Sequence, residues 1–189
     1  MVIQEKKKVG EIRICVDLRK LNDACLHDHF PTHFTDKVLE NVGGQEVYSF
    51  IDGFSRYHKI IIAPEERQKT TFAREWESYQ YIVMPFGLKN APSIFSRVVI
   101  ATFKEYIHQF LEVYFDDWRV FKLLKDHEGS LRMMLDRCRQ YQISLNLKKC
   151  IFGVSFGILL GHIVCKQGLM VYPTKITIIL NLAPPSSIK

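Results

Sequence analysis

Apolar and polar residues alternate along several short segments of this 189-residue chain, and each of these segments predicts a β-strand. The predicted strands cover residues 11–18, 46–52, 58–62, 70–74, 78–83, 110–115 and 118–122, with further short strands up to Val171. Residues 70–74 and 78–83 flank Trp76-Glu77 and predict a hairpin. Residues 110–115 and 118–122 predict a second hairpin with a tight turn at Asp116-Asp117.

Apolar residues at helical spacing predict four helices between these strands. The helices are expected at Thr35–Val42, Pro92–His108, 126–141, and from Pro173 to just before Pro184-Pro185. Glycines at 43 and 44 would stop the first helix. Strands and helices that alternate in this way, with several hairpins, predict an α+β fold in which helices lie on one face of the sheet.

Composition narrows the class of protein only modestly. A hydrophobic share of 47% and a charged share of 24% are typical of a folded chain. The formal net charge of +6 suits a polyanionic partner such as nucleic acid, although many proteins are mildly basic. Five cysteines without a CxxC pair favour reduced thiols over a zinc site.

Membrane insertion and secretion are not expected from the sequence. The longest apolar stretch, Cys150–Cys165, is interrupted by glycines and is too short to span a bilayer. The segment behind Met1 is rich in lysine and has no apolar core, so it does not resemble a signal peptide. We therefore expect an intracellular protein with no membrane partner.

Two acidic segments carry the candidate chemistry. Asp116 and Asp117 lie between apolar flanks, and Asp52 follows the apolar segment Tyr48–Ile51. Carboxylates beside buried strands are costly unless a cation shares their site. Two metal ions held by acids on neighbouring strands are the machinery of nucleotidyl transfer, so these aspartates are candidate metal ligands. Taken alone, the pattern fits a solvated turn and an unrelated acid about equally well.

Six blocks in a fixed order carry a resemblance to a known family. They are Arg13–Asn22, Phe50–Tyr57, Lys69–Phe72, Met84–Pro92, Tyr114–Asp117 and Leu160–His162. With these blocks the chain resembles the reverse transcriptase domain of gypsy-class long-terminal-repeat retrotransposons, plant elements especially. Pararetroviruses share much of the Pro-Phe-Gly-Leu block and stay an alternative source.

The resemblance implies a right-hand polymerase fold with fingers and palm, an antiparallel palm sheet and most of the thumb absent. The expected boundaries are fingers near 1–45 and 64–90, palm near 46–63 and 91–165, and the start of a thumb near 166–189. The implied function is that of an RNA-directed DNA polymerase, which transfers a nucleotide from a deoxynucleoside triphosphate to a primer 3′-hydroxyl. Its partners would be an RNA or DNA template with its primer, and the triphosphate.

The resemblance also assigns the acids and the cofactor. Asp52 and Asp116 would bridge two Mg²⁺ ions, with Asp117 in support and Mn²⁺ as a possible substitute. These three aspartates are thus both the implied catalytic residues and the implied metal ligands.

Four residues are implied to bind the nucleotide. Arg13, with Lys6–Lys8 nearby, would clamp the triphosphate, because a guanidinium suits bidentate phosphate contact. Tyr57 would lie under the sugar and exclude a 2′-hydroxyl, although it also fits an ordinary core tyrosine. Phe86 and Gly87 would floor the pocket, or would form a simple turn.

Three residues are implied to contact nucleic acid. Lys149 would donate a proton to pyrophosphate or contact the template, but it also fits a solvated lysine. Gly161 and His162 would belong to a hairpin that grips the primer end, with a hydrogen-bonded histidine at a strand edge as the alternative for His162. Trp76 and Trp118 are expected to be packing residues.

Several departures weaken the expectation of activity. Arg56, Ile12 and Arg119 stand where the family usually has glycine, an aromatic residue, and a small or apolar residue. The ribonuclease H and integrase of a retroelement polyprotein are also expected to be absent from this chain. One alternative is therefore a catalytically inactive, truncated retroelement remnant that folds and at most binds nucleic acid. A further alternative is an α+β domain unrelated to nucleic acid.

Overall fold

The computed structural model describes residues 2–5, 12–31, 35–54, 56–115 and 117–182, and only the backbone for 2–5, 12–15 and 56. The strands are β1 Val2–Glu5, β2 Ile12–Cys15, β3 Val47–Asp52, β4 Phe72–Ala73, β5 Ser78–Tyr79, β6 Leu111–Tyr114, β7 Asp117–Lys122, β8 Ile151–Val154, β9 Phe156–Leu159, β10 His162–Cys165 and β11 Gly168–Val171. The helices are α1 Arg19–Ala24, α2 Thr35–Val42, α3 Pro64–Arg67, α4 Ala91–Phe103, α5 Leu124–Gln140 and α6 Pro173–Leu180, and two 3₁₀ turns lie at Arg56–Lys59 and Gln68–Thr70.

The chain divides into two compact units. We call the first the hairpin unit; it comprises Met1–Pro31, Gly53–Thr102 and Cys138–Ser144. We call the second the sheet unit; it comprises Thr32–Asp52, Phe103–Arg137 and Leu145–Lys189. The predicted division into fingers, palm and thumb is a different kind of subdivision, and its boundaries stay a prediction.

The hairpin unit contains two antiparallel strand pairs, β1 with β2 and β4 with β5. Asn22 at α1 fixes the turn that precedes α4, because its side-chain amide donates to the Gly87 carbonyl at 2.8 Å and its oxygen accepts from the Lys89 amide at 2.8 Å. Arg97 on α4 binds the Asp28 carboxylate through both oxygens, at 2.9 and 3.0 Å. These long-range contacts hold the segment after α1 against the start of α4.

The sheet unit is built on four antiparallel strands in the order β6-β7-β3-β8. The central strand β3 is buried along Val47–Ile51, which is why its sequence is almost continuously apolar. Its core contains residues from the sheet, from α2 and from a second sheet of order β11-β10-β9, namely Val38, Leu39, Val42, Tyr48, Phe50, Phe121, Leu159 and Val164. Each such side chain contributes roughly 1.5–3 kcal/mol when fully buried.

Helix α2 has the predicted bounds. Val38, Leu39 and Val42 recur on one side of it and are buried, while Asp36 lies in its first turn, where the helix dipole favours an acid. Gly44 follows with a φ of 82°, in the left-handed region that glycine adopts without strain. Four further predicted elements are confirmed, although their ends differ from the prediction by a few residues. They are the strand at 46–52, the helix that begins near Pro92, the helix at 126–141 and the helix that begins at Pro173.

The predicted strand at 58–62 is wrong. Arg56–Lys59 forms a 3₁₀ turn, closed by the Ile60 amide on the Tyr57 carbonyl at 3.0 Å. The apolar residues that follow pair with residues 82–84 through a single bridge, Ile61 to Val83, and Ile61 is 72% exposed. The β-branched run therefore makes a local extended contact and joins no sheet.

Three further predictions need correction. The strand expected at 11–18 ends at Cys15, because the Asp17 carboxylate accepts from the Arg19 amide at 3.0 Å and starts α1. Trp76 is 87% exposed at the tip of the β4–β5 hairpin, so it is not a packing residue. Asp117 is the first residue of β7, paired with Tyr114, and does not lie in the turn.

Trp118 is a packing residue, as predicted. It is fully buried, with its ring 5.5 Å from that of Phe103. Within the described residues, no helix is both long and apolar enough to cross a bilayer.

Candidate active site

Asp52 and Asp117 lie directly opposite each other across two neighbouring strands of the sheet unit. Asp52 is the last residue of β3 and Asp117 the first residue of β7, and the antiparallel register pairs them. The Asp52 side chain is 26% exposed and that of Asp117 is 51% exposed. Like charges at directly opposite positions repel each other, so this arrangement requires nearby cations.

Two cations of the chain itself approach the acids. Arg119 Nη2 lies 3.5 Å from Asp117 Oδ1, and Lys149 Nζ lies 3.6 Å from Asp52 Oδ2. The two differ in their surroundings, since the Lys149 side chain is 67% exposed and that of Arg119 only 8%. The lysine contact is therefore screened by solvent, whereas the arginine contact joins a buried guanidinium to a carboxylate that is half exposed.

The end of β3 is fixed by the segment that leads into β8. The Asn146 amide donates to the Asp52 carbonyl at 2.8 Å, and the Asp52 amide donates to Cys150 Sγ at 3.4 Å. Both backbone groups of Asp52 are thus satisfied outside the strand ladder. The carboxylate of Asp52 is therefore held at a defined position at the end of β3.

Asp116, the third predicted acid, lies outside the described residues. The residue before it, Phe115, has a φ of 50°, which places its backbone in the left-handed region, where non-glycine residues are uncommon. The Phe115 carbonyl accepts from Trp118 Nε1 at 3.1 Å. A buried tryptophan thereby fixes the start of the β6–β7 turn from within the core.

The acids open onto a cavity of about 460 Å³ within the sheet unit. Asp52, Asp117, Arg119 and Lys149 form its polar part, and its apolar walls include Phe50 and Phe156. Carboxylate oxygens are ligands that Mg²⁺ prefers, so the donor set described fits a hard divalent ion. Among the described residues, no group of three or more His, Cys, Asp and Glu side chains forms a metal cluster.

Arg119 was noted in the sequence only as a departure, and its place beside the acids was missed. Residues two apart on a strand share a face, so Arg119 shares the face of Asp117. The register adds Phe50 opposite Arg119, and the guanidinium lies 4.5 Å from the centre of that ring. Strand periodicity from Asp117 is the signal that could have found it.

The predicted nucleotide-binding residues belong to the hairpin unit. Tyr57 is buried, with its ring 4.9 Å from Phe86 and 5.9 Å from Phe95. Phe86 is 52% exposed, and Gly87 has a φ of 100°. Tyr57 therefore packs against Phe86, the residue predicted to floor the nucleotide pocket. This contact is compatible with Tyr57 as a core residue and also with a role for Tyr57 in nucleotide binding.

Arg13 lies on β2, and its side chain is outside the described residues, as is that of Ile12. Arg56 begins the 3₁₀ turn that carries Tyr57, and its side chain is likewise not described. Lys6–Lys8 lie outside the described residues altogether. The implied roles of these residues stay predictions.

The predicted primer-contacting residues lie in the sheet unit. Gly161 occupies the turn between β9 and β10 with a φ of 74°, and a Cβ there would overlap the side chain of Lys175. His162 begins β10, and its Nδ1 is buried without a hydrogen-bond partner among the described residues. The predicted alternative of a hydrogen-bonded histidine gains no support at that nitrogen.

The profile of the family described as reverse transcriptase (RNA-dependent DNA polymerase) matches residues 4–179. The chain belongs to the reverse transcriptase family. Reverse transcriptases generally use divalent metal ions, which agrees with the donor set at Asp52 and Asp117.

The chain is similar to polyproteins of Drosophila melanogaster transposons. It is 31% identical to the retrovirus-related Pol polyprotein from transposon 297 over 95% of this chain and 17% of the relative. The Pol polyprotein from transposon gypsy is 30% identical over 93% of this chain and 17% of the relative. The enzymatic polyprotein of cauliflower mosaic virus is 33% identical over 77% of this chain and 22% of the relative.

Solved structures show the same fold. A foamy viral protease-reverse transcriptase, solved with double-stranded DNA, superposes with a TM-score of 0.83 at 21% identity, over 97% of this chain and 32% of that one. The antiparallel sheet with packed helices is therefore a reverse transcriptase fold. The chain spans less than a quarter of the length of these curated relatives.

Proposed function

We propose that the chain is the polymerase domain of a gypsy-class long-terminal-repeat retrotransposon and catalyses RNA-directed DNA synthesis. The observation that carries the proposal is the pairing of Asp52 with Asp117 at the mouth of a cavity, in a chain whose family match covers residues 4–179. Paired carboxylates at the edge of a sheet suit nucleotidyl transfer.

Asp52, Asp116 and Asp117 would hold two Mg²⁺ ions, or Mn²⁺ in their place. When bound, these ions would activate the primer hydroxyl and offset the charge of the leaving pyrophosphate. The chain contributes by position. The backbone contacts of Asp52 and the buried Trp118 fix both strands, so the carboxylates are aligned before a substrate arrives.

In the proposed reaction, the primer 3′-oxygen bonds to the α-phosphorus of the triphosphate. The bond from that phosphorus to the bridging oxygen breaks, and pyrophosphate leaves. Arg13 would bind the triphosphate, Tyr57 would exclude a 2′-hydroxyl, and Phe86 with Gly87 would support the base and sugar. The Tyr57–Phe86 contact supports a joint role for these rings.

Template and primer are the proposed nucleic-acid partners, with Lys149, Gly161 and His162 as contacts. Two observations support this assignment: the net charge of +6, and the fact that related foamy viral structures contain an RNA/DNA hybrid or double-stranded DNA. Lys149 is exposed on the sheet unit, and Gly161 is a half-buried residue in a left-handed turn of the same unit.

The gypsy class is favoured over a pararetrovirus by coverage. The transposon polyproteins match over 93–95% of this chain and the cauliflower mosaic virus polyprotein over 77%. The plant origin suggested by the sequence blocks belongs to the proposal as well.

The test is extension of a DNA primer on an RNA template with Mg²⁺, comparing the wild type with Asp52→Asn. We expect the variant to lose at least about 10²-fold in rate, as when a group that stabilises transition-state charge is removed. Glu128→Gln is the matched control, because Glu128 is an exposed acid on α5 whose carboxylate pairs with Arg132 at 3.2 Å. Equal rates for wild type and Asp52→Asn would refute the assignment.

A second candidate is a remnant that binds nucleic acid without catalysis. Arg119 favours this candidate, because a cation 3.5 Å from Asp117 already neutralises part of the negative charge that would attract a metal ion. This candidate predicts salt-sensitive binding of a primer–template duplex with no incorporation, both in this chain and in a longer polyprotein. Incorporation abolished by Asp52→Asn would exclude it.

A further inference from the structure

Arg119 is a buried cation built into the wall of the acidic cavity. Its side chain is 8% exposed, its guanidinium covers the Phe50 ring at 4.5 Å, and its Nη1 donates to the Trp118 carbonyl at 2.9 Å. A Cβ at Gly157 would overlap Phe50, so the backbone of Gly157 lies close against the ring and limits its movement. The guanidinium is therefore held in place, unlike a surface arginine.

The position of Arg119 makes it the fixed counter-charge of the acids. Its Nη2 lies 3.5 Å from Asp117 Oδ1, and its Nε is buried without a hydrogen-bond partner among the described residues. Burial lowers the pKa of the guanidinium, while attraction from Asp117 and then Asp52 opposes that effect. An arginine begins so far above neutral pH that it stays charged here.

The described charges around the cavity balance without any bound ion. Asp52 and Asp117 supply two negative charges, and Arg119 and Lys149 supply two positive ones. Lys149 is mostly exposed and can swing away into solvent, but Arg119 is enclosed by the sheet. A divalent ion that binds Asp117 must share the carboxylate with the guanidinium and is repelled by it.

We propose that Arg119 is a built-in counter-cation of the Asp52–Asp117 pair, which stabilises the acids when no metal is bound and competes with a divalent cation for Asp117. This inference rests on the proposed function, because it assumes that these acids are metal ligands. It makes Arg119 a determinant of metal affinity, and the chain a polymerase domain that needs a higher metal concentration than one with an apolar residue there.

The test measures metal binding directly and requires no catalysis. Mn²⁺ is titrated into the purified chain, and free Mn²⁺ is measured by electron paramagnetic resonance for the wild type, Arg119→Leu and Arg119→Lys. We expect Arg119→Leu to bind Mn²⁺ about tenfold more tightly or better, because a fixed unit charge a few ångströms away is removed. Arg119→Lys, which keeps the cation, is expected to stay within about threefold of the wild type.

Two controls separate the local effect from general ones. Arg132→Leu removes the same charge from an exposed pair on α5 and is expected to leave Mn²⁺ affinity unchanged. Thermal melting gives a second reading, because a ligand that binds the folded state stabilises it in proportion to its affinity. Added Mn²⁺ should therefore raise the melting temperature of Arg119→Leu more than that of the wild type. If Arg119→Leu does not fold, Arg119→Gln removes the charge and keeps a donor for the Trp118 carbonyl.

The outcomes distinguish this inference from the proposed function. If Asp52→Asn weakens Mn²⁺ binding but loss of the Arg119 charge leaves it unchanged, the counter-cation role is overturned and the metal site stands. If Asp52→Asn does not alter Mn²⁺ binding either, the metal assignment itself fails and the inference falls with it. Tighter binding in the Arg119 variant alone, with Arg132→Leu unchanged, supports both.

Discussion

Replacing Ser49 by alanine tests how the strand that carries Asp52 is anchored. Ser49 is fully buried on β3, three residues before the acid. Its Oγ accepts from the Gly153 amide at 3.1 Å and lies 2.8 Å from His127 Nε2 on α5. One hydroxyl thus links the central strand, the edge strand and a helix, at the point where the β3–β8 register shifts.

The expected cost follows from the groups left without partners. Alanine removes the hydroxyl and takes away the partner of the His127 ring nitrogen, which is buried, whereas Gly153 is exposed and water can reach its amide. A buried donor or acceptor without a partner costs about 1–3 kcal/mol, so Ser49→Ala should lower the free energy of unfolding by about 1–3 kcal/mol. The loss of one small side chain would add little to this figure.

Urea denaturation followed by tryptophan fluorescence measures this cost. Trp118 is buried and Trp76 is exposed, so Trp76→Phe in every variant leaves Trp118 as the reporter of unfolding. Thr71→Ala is the matched control, because its hydroxyl bonds the Gln68 carbonyl on the exposed surface and should change stability by less than about 0.5 kcal/mol. A Ser49→Ala loss no larger than that of the control would refute the reasoning.

Three other changes test separate features of the fold. Burial lowers the pKa of His127, so as the pH falls the unfolded chain binds a proton at this histidine before the folded chain does. The stabilisation should be complete above about pH 6.5 and should decrease by at most about 1.4 kcal/mol per pH unit below it. Urea titrations at several pH values should show that His127→Gln removes this slope. Gly87→Ala should destabilise the folded chain by about 1–2 kcal/mol, because φ at this residue is 100°. Gly129→Ala within α5 should stabilise the folded chain by about 0.5–1 kcal/mol, and equal effects of the two substitutions on the melting temperature would contradict this. Trp118→Ala should cost about 3–5 kcal/mol, since its ring is fully buried against Phe103. This variant lacks the fluorescent reporter, so its urea denaturation is followed by circular dichroism, and a cost below about 1 kcal/mol would show that the site collapses around the gap.

The elements that the sequence predicted well are those whose burial is decided locally. Val38, Leu39 and Val42 repeat at helical spacing before a glycine pair, and the run at 46–52 is too apolar for anything but a buried strand. Both patterns contain their own stop signals. The ordered sequence blocks then indicated a reverse transcriptase domain, which the family match over residues 4–179 confirmed.

The misplaced elements depend on contacts distant in the chain. The run after Tyr57 has strand propensity, but a 3₁₀ turn directs it to residues 82–84, and only one bridge forms. Trp76 has the character of a core residue, yet it falls at the tip of a two-residue strand pair and is exposed among the described residues. Propensity alone cannot say which partner a segment will meet.

The sequence singled out Asp52, Asp117 and Lys149 as candidate site residues, but it did not indicate that Arg119 lies beside the acids. Asp52 and Asp117 stand out because carboxylates follow apolar strands, but their direct pairing depends on a register that only the folded sheet fixes. The position of Arg119 over Phe50 depends on the same register. Charged residues near a motif are best assigned to a face by counting along the strand from the motif.

Because the Asp52 amide donates a hydrogen bond to Cys150 Sγ, the position of Asp52 depends on the chemical state of that thiol. Cys150 is a free cysteine, half-buried, so reagents that oxidise or alkylate it would add bulk where the strand end is held. We therefore expect preparations without a reductant to lose metal binding and catalysis together. An inactive preparation of this kind would be mistaken for an inactive gene product. Comparing the wild type with Cys150→Ser, both in fresh reductant, distinguishes oxidation during purification from inactivity encoded in the sequence.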